Sequence, residues 1–190
     1  MSEAVSALKV ASFAGFVRVE ETGLRGMITV RGDLSSKSMA AAIETVAAKQ
    51  MPDIGNIVLG HSGSVAWMSP DELLIIVPYE TVQAVIEALN VALSDDHVLV
   101  VNLSDARAIF RLSGAGTRDV LAKLAPVDLS AEAFKAGDFR RTRLAQVAAA
   151  FWCNPDNSFE LICFRSVAQY VFDVLSKSSE LGSEVEHLSS

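Results

Sequence analysis

One arrangement of apolar stretches, turns and amphipathic stretches occurs twice along this chain of 190 residues. Residues 27–30 form a short apolar stretch, and in residues 34–49 apolar side chains then recur at helical spacing. Residues 109–112 and 117–124 repeat that order. The pattern predicts a strand followed by a helix in each half of the chain. This repeat restricts the fold strongly, because both halves must bury similar elements against a core.

A hairpin pattern follows each predicted strand and helix. Residues 65–71 and 150–156 both end in Pro-Asp, which is typical of a turn. Apolar stretches at residues 72–77 and 160–164 come next, and helical spacing returns after each of them. Each half is therefore predicted to close with a hairpin and a second helix.

Signals for the start of a helix accompany both closing helices. Thr81 is the predicted N-cap of the first, and Ser166 with Gln169 has the spacing of a capping box at the second. Trp67 and Trp152 occupy equivalent places in the two hairpins. A place in the core is favoured for both tryptophans over a place in an interface.

The doubled order predicts an α+β fold of two ferredoxin-like halves, each with the order strand-helix-strand-strand-helix and mostly antiparallel sheets. The predicted domain is one compact body over residues 21–176, with pseudo-repeats at about 25–95 and 98–176. Residues 1–20 are predicted to be an N-terminal extension, and residues 177–190 a polar tail.

Charge and cysteine content restrict the partners and the location. The 16 basic and 23 acidic residues give a net charge of -7, which repels phosphate backbones and anionic membranes. No apolar run approaches the roughly 20 residues needed to span a bilayer. Cys153 and Cys163 are too few for a disulfide scaffold or a thiolate metal site, and reduced packing thiols are favoured over a bonded pair. The sequence therefore predicts a cytoplasmic protein without nucleic-acid or membrane partners.

Motifs for catalysis, cofactors and metals are incomplete. Gly114 and Gly116 follow a predicted strand, but Asp119 occupies the third glycine position of a dinucleotide loop, where it would repel pyrophosphate. None of the three histidines has a cysteine or another histidine at ligand spacing; they are His61, His97 and His187. The prediction is that this chain contributes no catalytic, cofactor-binding or metal-binding residue.

Two groups of arginines stand out in an acidic chain. Arg107 and Arg111 are an even number of residues apart and are predicted to share one strand face, while Arg140, Arg141 and Arg143 cluster just before a third strand of the second half. Arginine binds carboxylates in bidentate geometry, so these five residues are candidates for docking an acidic partner or a carboxylate ligand. Ordinary solvated charge is the favoured interpretation, because most surface arginines bind nothing specific.

A family resemblance rests on residues 67–74, 103–114, 141–147 and 159–170. Its most specific part is the set of an Asp-Ala-Arg strand, a Leu-Ser-Gly turn and an Arg-Asp-Val-Leu helix. On these segments, which lie within roughly residues 25–175, the chain resembles the gamma subunit of heterotetrameric sarcosine oxidase. That family is similar in fold to the tetrahydrofolate-binding part of the glycine-cleavage aminomethyltransferase, in agreement with the doubled layout.

The resemblance implies a complex that oxidatively demethylates sarcosine to glycine. The complex would produce hydrogen peroxide and, with tetrahydrofolate, 5,10-methylenetetrahydrofolate. It would carry FAD, FMN, NAD and zinc on its other subunits, and the partners of this chain would be the alpha, beta and delta subunits. The gamma chain would be a structural partner, docked on the folate-handling region of the largest subunit.

Two alternatives remain beside this reading. One is a stand-alone folate-binding or one-carbon-transfer module, in which the arginines hold a folate glutamate tail. The other is an independent enzyme with an unrecognised site.

Overall fold

The computed structural model describes residues 3–46, 50–60 and 62–188. These residues form eleven strands and four helices in the order β1 (Ser12–Ala14), β2 (Arg18–Glu21), β3 (Gly26–Arg31), α1 (Lys37–Val46), β4 (Ile57–Leu59), β5 (Ser64–Ser69), β6 (Glu72–Val77), α2 (Val82–Ala92), β7 (Leu99–Asn102), β8 (Arg107–Ser113), α3 (Thr117–Ala122), β9 (Phe139–Leu144), β10 (Val147–Cys153), β11 (Phe159–Phe164) and α4 (Ala168–Ser178). Within the described ranges, no helix has both the length and the apolar character needed to cross a membrane.

The chain divides into two compact units. Arg25–Asp105 forms one, and the segments before and after it together form the other. We call them the central unit and the terminal unit. The single domain predicted over residues 21–176 stays a prediction.

The central unit contains a five-stranded sheet in the order β4-β5-β6-β3-β7, and every neighbouring pair is antiparallel. Side chains alternate between the faces of a strand, so every second apolar residue of β3 and β6 points to the same side. That side packs with apolar residues of α1 and α2 in one buried cluster, which includes Ile28, Val30, Met39, Ile43, Val65, Leu73, Ile75, Val77, Val82 and Leu89.

The terminal unit contains a six-stranded antiparallel sheet in the order β1-β2-β8-β11-β10-β9. One face packs with α3, α4 and the loop before β9 in a cluster rich in aromatic side chains, which includes Phe110, Val120, Leu121, Phe134, Phe151, Phe159, Leu161, Val171 and Leu175. Several residues of the other face, such as Ile109, Trp152 and Ile162, are also buried.

The predicted α+β fold with antiparallel sheets and a repeated layout is confirmed, with two differences. Each half contains one more strand than predicted, β4 or β9, between its first helix and its hairpin. In addition, the strands that precede the two halves are exchanged: β2 precedes β3 in the chain but pairs with β8, and β7 precedes β8 but pairs with β3. Each sheet therefore includes a strand adjacent in sequence to the other half.

The helix boundaries also differ from the sequence-based ones. The predicted helix at residues 34–49 is observed as Lys37–Val46, and Lys49 lies outside the described residues. The predicted helix at 117–124 ends at Ala122.

The capping-box prediction is wrong. Ser166 lies in a single 3-10 turn, Arg165–Val167, and α4 begins only at Ala168. Gln169 instead donates a hydrogen bond from Nε2 to Asp173 Oδ1 at 2.8 Å. Thr81 does occupy the N-cap position of α2, but its Oγ1 donates to the Pro78 carbonyl at 2.8 Å and does not cap the helix. Both helices are thus entered through a 3-10 turn rather than a side-chain cap.

Candidate partner-docking surface

Arg107 and Arg111 both lie on β8, and their even spacing places them on the same face, as predicted. Arg111 is surrounded by carboxylates. Glu160 and Glu20 face it from the neighbouring strands, and its Nη2 donates to Asp156 at 2.5 Å. Both members of this ion pair are about half exposed, so the pair stabilises the fold by only ~0–1 kcal/mol. The charge of Arg111 is therefore already balanced within this chain.

Arg107 packs differently, against an aromatic ring. It faces Phe164 of β11 in the sheet register, and its guanidinium carbon lies 4.5 Å from the centroid of that ring. This geometry is a cation–π contact. Phe164 is 47% exposed, which is unusual for a phenylalanine on a central strand of a sheet. The contact holds an apolar ring and a cation together at the surface.

The other three arginines lie just before β10, as predicted, but on a further strand that the sequence analysis did not predict. Arg140, Arg141 and Arg143 belong to β9, the edge strand of the sheet, and all three are exposed. Because side chains alternate along a strand, Arg141 and Arg143 project from one face and Arg140 from the other. The Arg140 guanidinium lies 5.9 Å from the ring of Phe134, a residue of the apolar cluster.

The register of the sheet brings two of the predicted residues into one row. Arg143 of β9 faces Ala148 of β10. Ala148 in turn lies opposite Phe164 of β11, one step beyond the pair Ala149–Cys163, and Phe164 faces Arg107 of β8. With strands about 4.8 Å apart, this row spans about 14 Å between its end residues. Arg141 lies two residues from Arg143 on the same face. We call Arg107, Arg141, Arg143, Ala148 and Phe164 the basic row.

The five predicted arginines thus separate into three groups. Arg107, Arg141 and Arg143 belong to the basic row, Arg111 lies among carboxylates farther along the same face, and Arg140 projects from the opposite face. Sequence reasoning missed Phe164, although its place in the alternation of β11 indicates that it faces away from Phe159 and the apolar cluster.

The two tryptophans have different environments. Trp152 is 1% exposed, as the core prediction requires. The same prediction for Trp67 is wrong, because this side chain is only partly buried and lines a surface cleft with Asp33, Met51 and Pro52.

The glycine-rich turn before α3 serves the fold. Gly114 has φ +126°, and a Cβ there would lie 3.0 Å from the Phe16 carbonyl oxygen, so a residue with a side chain would be strained at this position. Asp119 is buried, and its Oδ1 accepts hydrogen bonds from the backbone N–H groups of His187 and Leu188 at 3.3 and 2.9 Å. The carboxylate holds the C-terminal segment of the chain.

The remaining candidate ligands are dispersed. His61 lies outside the described residues, and His97 and His187 belong to different units. Among the residues that the structure describes, no group of three histidine, cysteine or acidic side chains is placed to hold a metal ion.

Both cysteines are buried thiols in the apolar cluster of the terminal unit. Cys153 faces Phe159 and Cys163 faces Ala149 in the sheet register, so the two do not face each other across the hairpin. Burial raises the pKa of the Cys163 thiol to about 12, and burial also raises the pKa of Cys153.

We expect neither thiol to react with a disulfide reagent in the folded protein at pH 8, because the thiolate is the reactive form and both thiols are buried. Two thiols per chain should react in denaturant. Since the folded pKa of Cys163 lies above its ordinary value of 9.0, its contribution to stability is present below pH 9 and is lost as the pH rises toward 12. Fast labelling of one thiol in native buffer would contradict this placement.

Comparisons with known proteins agree with the residue pattern. The sequence model of the "Sarcosine oxidase, gamma subunit family" matches residues 31–180. Sarcosine oxidase subunit gamma of Corynebacterium sp. (strain P-1) is 31% identical over 180 residues, which is 94% of this chain and 88% of that protein. The subunit gamma of Arthrobacter sp is 30% identical over 159 residues, or 82% of this chain and 76% of that protein.

Two solved structures share the fold. Heterotetrameric sarcosine oxidase from Corynebacterium sp. U-96, in complex with pyrrole 2-carboxylate, includes a chain that matches with a TM-score of 0.81 and 24% identity, over 92% of this chain and 90% of that one. Glycine cleavage system aminomethyltransferase T from Bartonella henselae matches with a TM-score of 0.58 and 14% identity, over 80% of this chain and 43% of that one. From the family match and the sequence identities together, it follows that the chain belongs to the sarcosine oxidase gamma subunit family.

Proposed function

We propose that this chain is the non-catalytic gamma subunit of a heterotetrameric sarcosine oxidase and a structural partner of its alpha, beta and delta subunits. The observation that carries the proposal is the family match, which extends over residues 31–180 and thus over most of both units. The complex would oxidatively demethylate sarcosine to glycine, with hydrogen peroxide and 5,10-methylenetetrahydrofolate as further products. Its flavins, NAD and zinc would be held by other subunits.

Buried and partly buried ionisable groups of the terminal unit support a structural role, because they hold segments of the chain itself. The Glu21 carboxylate accepts hydrogen bonds from residues 6–10, and Asp119 holds residues 187 and 188. Arg118 donates from Nη1 to the carbonyls of Leu129 and Phe134 at 2.8 and 2.9 Å. Each group is engaged in the fold rather than presented to a substrate.

We further infer that the complex is cytoplasmic. Both cysteines are present as free thiols, which is the state expected in a reducing compartment.

The stand-alone folate-binding module is not favoured. Its basis is the likeness to the aminomethyltransferase, which at 14% identity and 43% coverage of that chain shows the fold alone. The relatives that match over most of this chain are named as gamma subunits of sarcosine oxidase.

Purification of the tagged chain from its own organism tests the proposal. We expect it to elute in a complex much larger than its own 20.3 kDa, with a flavin absorption spectrum and sarcosine-dependent production of hydrogen peroxide. A colourless protein that elutes at the mass of the single chain would contradict the subunit role.

A further inference from the structure

Strand β7 is an apolar edge of the sheet in the central unit. It lies at one end of that sheet and consists of Leu99, Val100, Val101 and Asn102, with neither a charged residue nor a proline. Leu99 is 53% exposed. Edge strands usually carry charged side chains or proline, because these prevent an open edge from pairing with another chain. The edge strand β9 follows that rule with its exposed arginines, whereas β7 does not.

The backbone of β7 presents hydrogen-bonding groups on its open side. The Leu103 N–H donates to the Met27 carbonyl at 2.7 Å, and this bond continues the register between β7 and β3. Bonded and non-bonded pairs alternate along an antiparallel ladder, so the odd-numbered residues of β7 bond to β3. The N–H and C=O groups of Val100 and Asn102 therefore point away from the sheet. Within the described part of the chain, neither of these two N–H groups meets an acceptor.

The central unit carries nearly all of the net negative charge of the protein. Residues 25–105 include four lysines and arginines and ten aspartates and glutamates, so they contribute -6 to the total of -7. Asp95 and Asp96 lie in the turn that leads from α2 into β7. Arg31, on the neighbouring strand β3, pairs with Asp71 at 3.2 Å. Charge complementarity at this edge therefore favours an occupant with basic residues.

An extended polypeptide with basic residues matches the edge better than other occupants. The outward groups of Val100 and Asn102 are about 6–7 Å apart, which is the two-residue repeat of an extended chain. A second copy of this chain would bring two central units of charge -6 together, and they would repel each other. The same charge repels nucleic acid. The features of β7 thus favour a basic segment of a different protein chain.

We propose that β7 accepts an extended, basic segment of another subunit of the oxidase, which becomes a sixth strand of the sheet in the central unit. Such strand addition joins two chains through their backbones, while side chains at alternate positions give specificity. The segment bonds to Val100 and Asn102, an apolar side chain of the segment covers Leu99, and its lysines or arginines pair with Asp95 and Asp96. This inference rests on the proposed function, because it requires that the chain assembles with other subunits.

Lysine substitutions at the two edges of one sheet test the proposal. Leu99→Lys places a charge on β7, and Leu59→Lys places the same charge on β4, the opposite edge strand, where Leu59 is 40% exposed. Each tagged variant replaces the natural chain in its own organism. The measurement is the flavin absorbance that co-purifies with each mole of tagged chain, with circular dichroism to confirm folding.

We expect Leu99→Lys to retain at least about tenfold less flavin than the natural chain, because a lysine at this position loses its hydration beside a basic segment. Retention by Leu59→Lys should stay within about twofold, since an exposed charge outside the contact has little effect. The double variant Asp95→Lys/Asp96→Lys should also lower retention, and its deficit should shrink as NaCl screens the repulsion.

Hydrogen exchange in the purified complex gives a second readout, which depends on the backbone of β7. On an open edge, the amides of Val100 and Asn102 exchange freely, while those of Leu99 and Val101 are protected by their bonds to β3. On an edge covered by a partner strand, all four amides are protected. We therefore expect Val100 and Asn102 to exchange at least about tenfold more slowly than unstructured amides.

The outcomes separate the pairing at β7 from the proposed function. If the natural chain retains no flavin, the subunit role fails, and the pairing fails with it. If the natural chain assembles and the folded variant Leu99→Lys assembles equally well, the pairing is overturned while the subunit role stands. Free exchange of Val100 and Asn102 in the complex has the same meaning. A loss in Leu59→Lys equal to or larger than that in Leu99→Lys would also overturn the pairing at β7.

Discussion

Replacement of Phe159 by alanine is expected to lower the free energy of unfolding by about 3–5 kcal/mol. Phe159 is fully buried, and its ring centroid lies 5.7 Å from that of Phe134 and 6.3 Å from that of Phe151. The guanidinium of Arg118 lies 5.3 Å from the same ring. The hydrogen bonds of Arg118 fix its position, so the cavity cannot close around the smaller side chain. Urea unfolding followed by far-UV circular dichroism measures the loss.

Phe164→Ala is the matched control on the same strand. Phe164 projects from the opposite face of β11 and is 47% exposed, so its removal should cost less than about 1 kcal/mol. A similar loss for the two variants would contradict the central place of Phe159 in the core.

Local sequence patterns predicted the repeated layout because its elements are encoded by neighbouring residues. The alternation of apolar side chains and the Pro-Asp turns located both hairpins, β5 with β6 and β10 with β11. The same alternation indicates that Phe159, Leu161 and Cys163 share the buried face of β11.

The sequence analysis did not predict β4, β9 or the exchange of β2 and β7, because none of these features depends on local periodicity. β4 is apolar but has only three residues, too few to show a periodicity, and β9 buries only Phe139 and Leu144 of its six, so β9 shows no apolar run. The pairing of β2 with β8 joins segments about 90 residues apart in sequence, and is determined by the packing of the whole unit.

For the candidate surface, the sequence predicted only those features that depend on a single strand. Even spacing placed Arg107 and Arg111 on one face, because that property depends on β8 alone. Their different surroundings come from other parts of the chain: Phe164 of β11 lies beside Arg107, whereas Asp156, in the turn between β10 and β11, pairs with Arg111. Neighbours across a sheet depend on register, which the spacing of residues within one strand does not determine.

Glu21→Gln is expected to destabilise the terminal unit by about 2–3 kcal/mol, because it turns a buried acceptor into a partial donor. The Glu21 carboxylate is 1% exposed, and it accepts hydrogen bonds from Ser6 Oγ and from the Val10 N–H at 2.8 Å each. The Leu8 N–H lies 3.1 Å from both of its oxygens. Glutamine places an amide NH2 against some of these donors, and a buried donor left without an acceptor is costly.

Glu21→Gln should also loosen the N-terminal segment around Val10 locally, in addition to lowering the stability of the whole unit. Val10 has φ +62°, a conformation that a β-branched residue adopts only when its surroundings impose it, and the carboxylate of Glu21 holds the Val10 N–H in place. We therefore expect hydrogen exchange at the amides of Leu8 and Val10 to accelerate at least about tenfold in Glu21→Gln. Glu20→Gln is the control, because Glu20 forms a solvent-accessible ion pair with Arg18, and stability should change by less than about 0.5 kcal/mol. Unchanged protection of Leu8 and Val10 in Glu21→Gln would show that other contacts hold the N-terminal segment, and that the buried carboxylate does not.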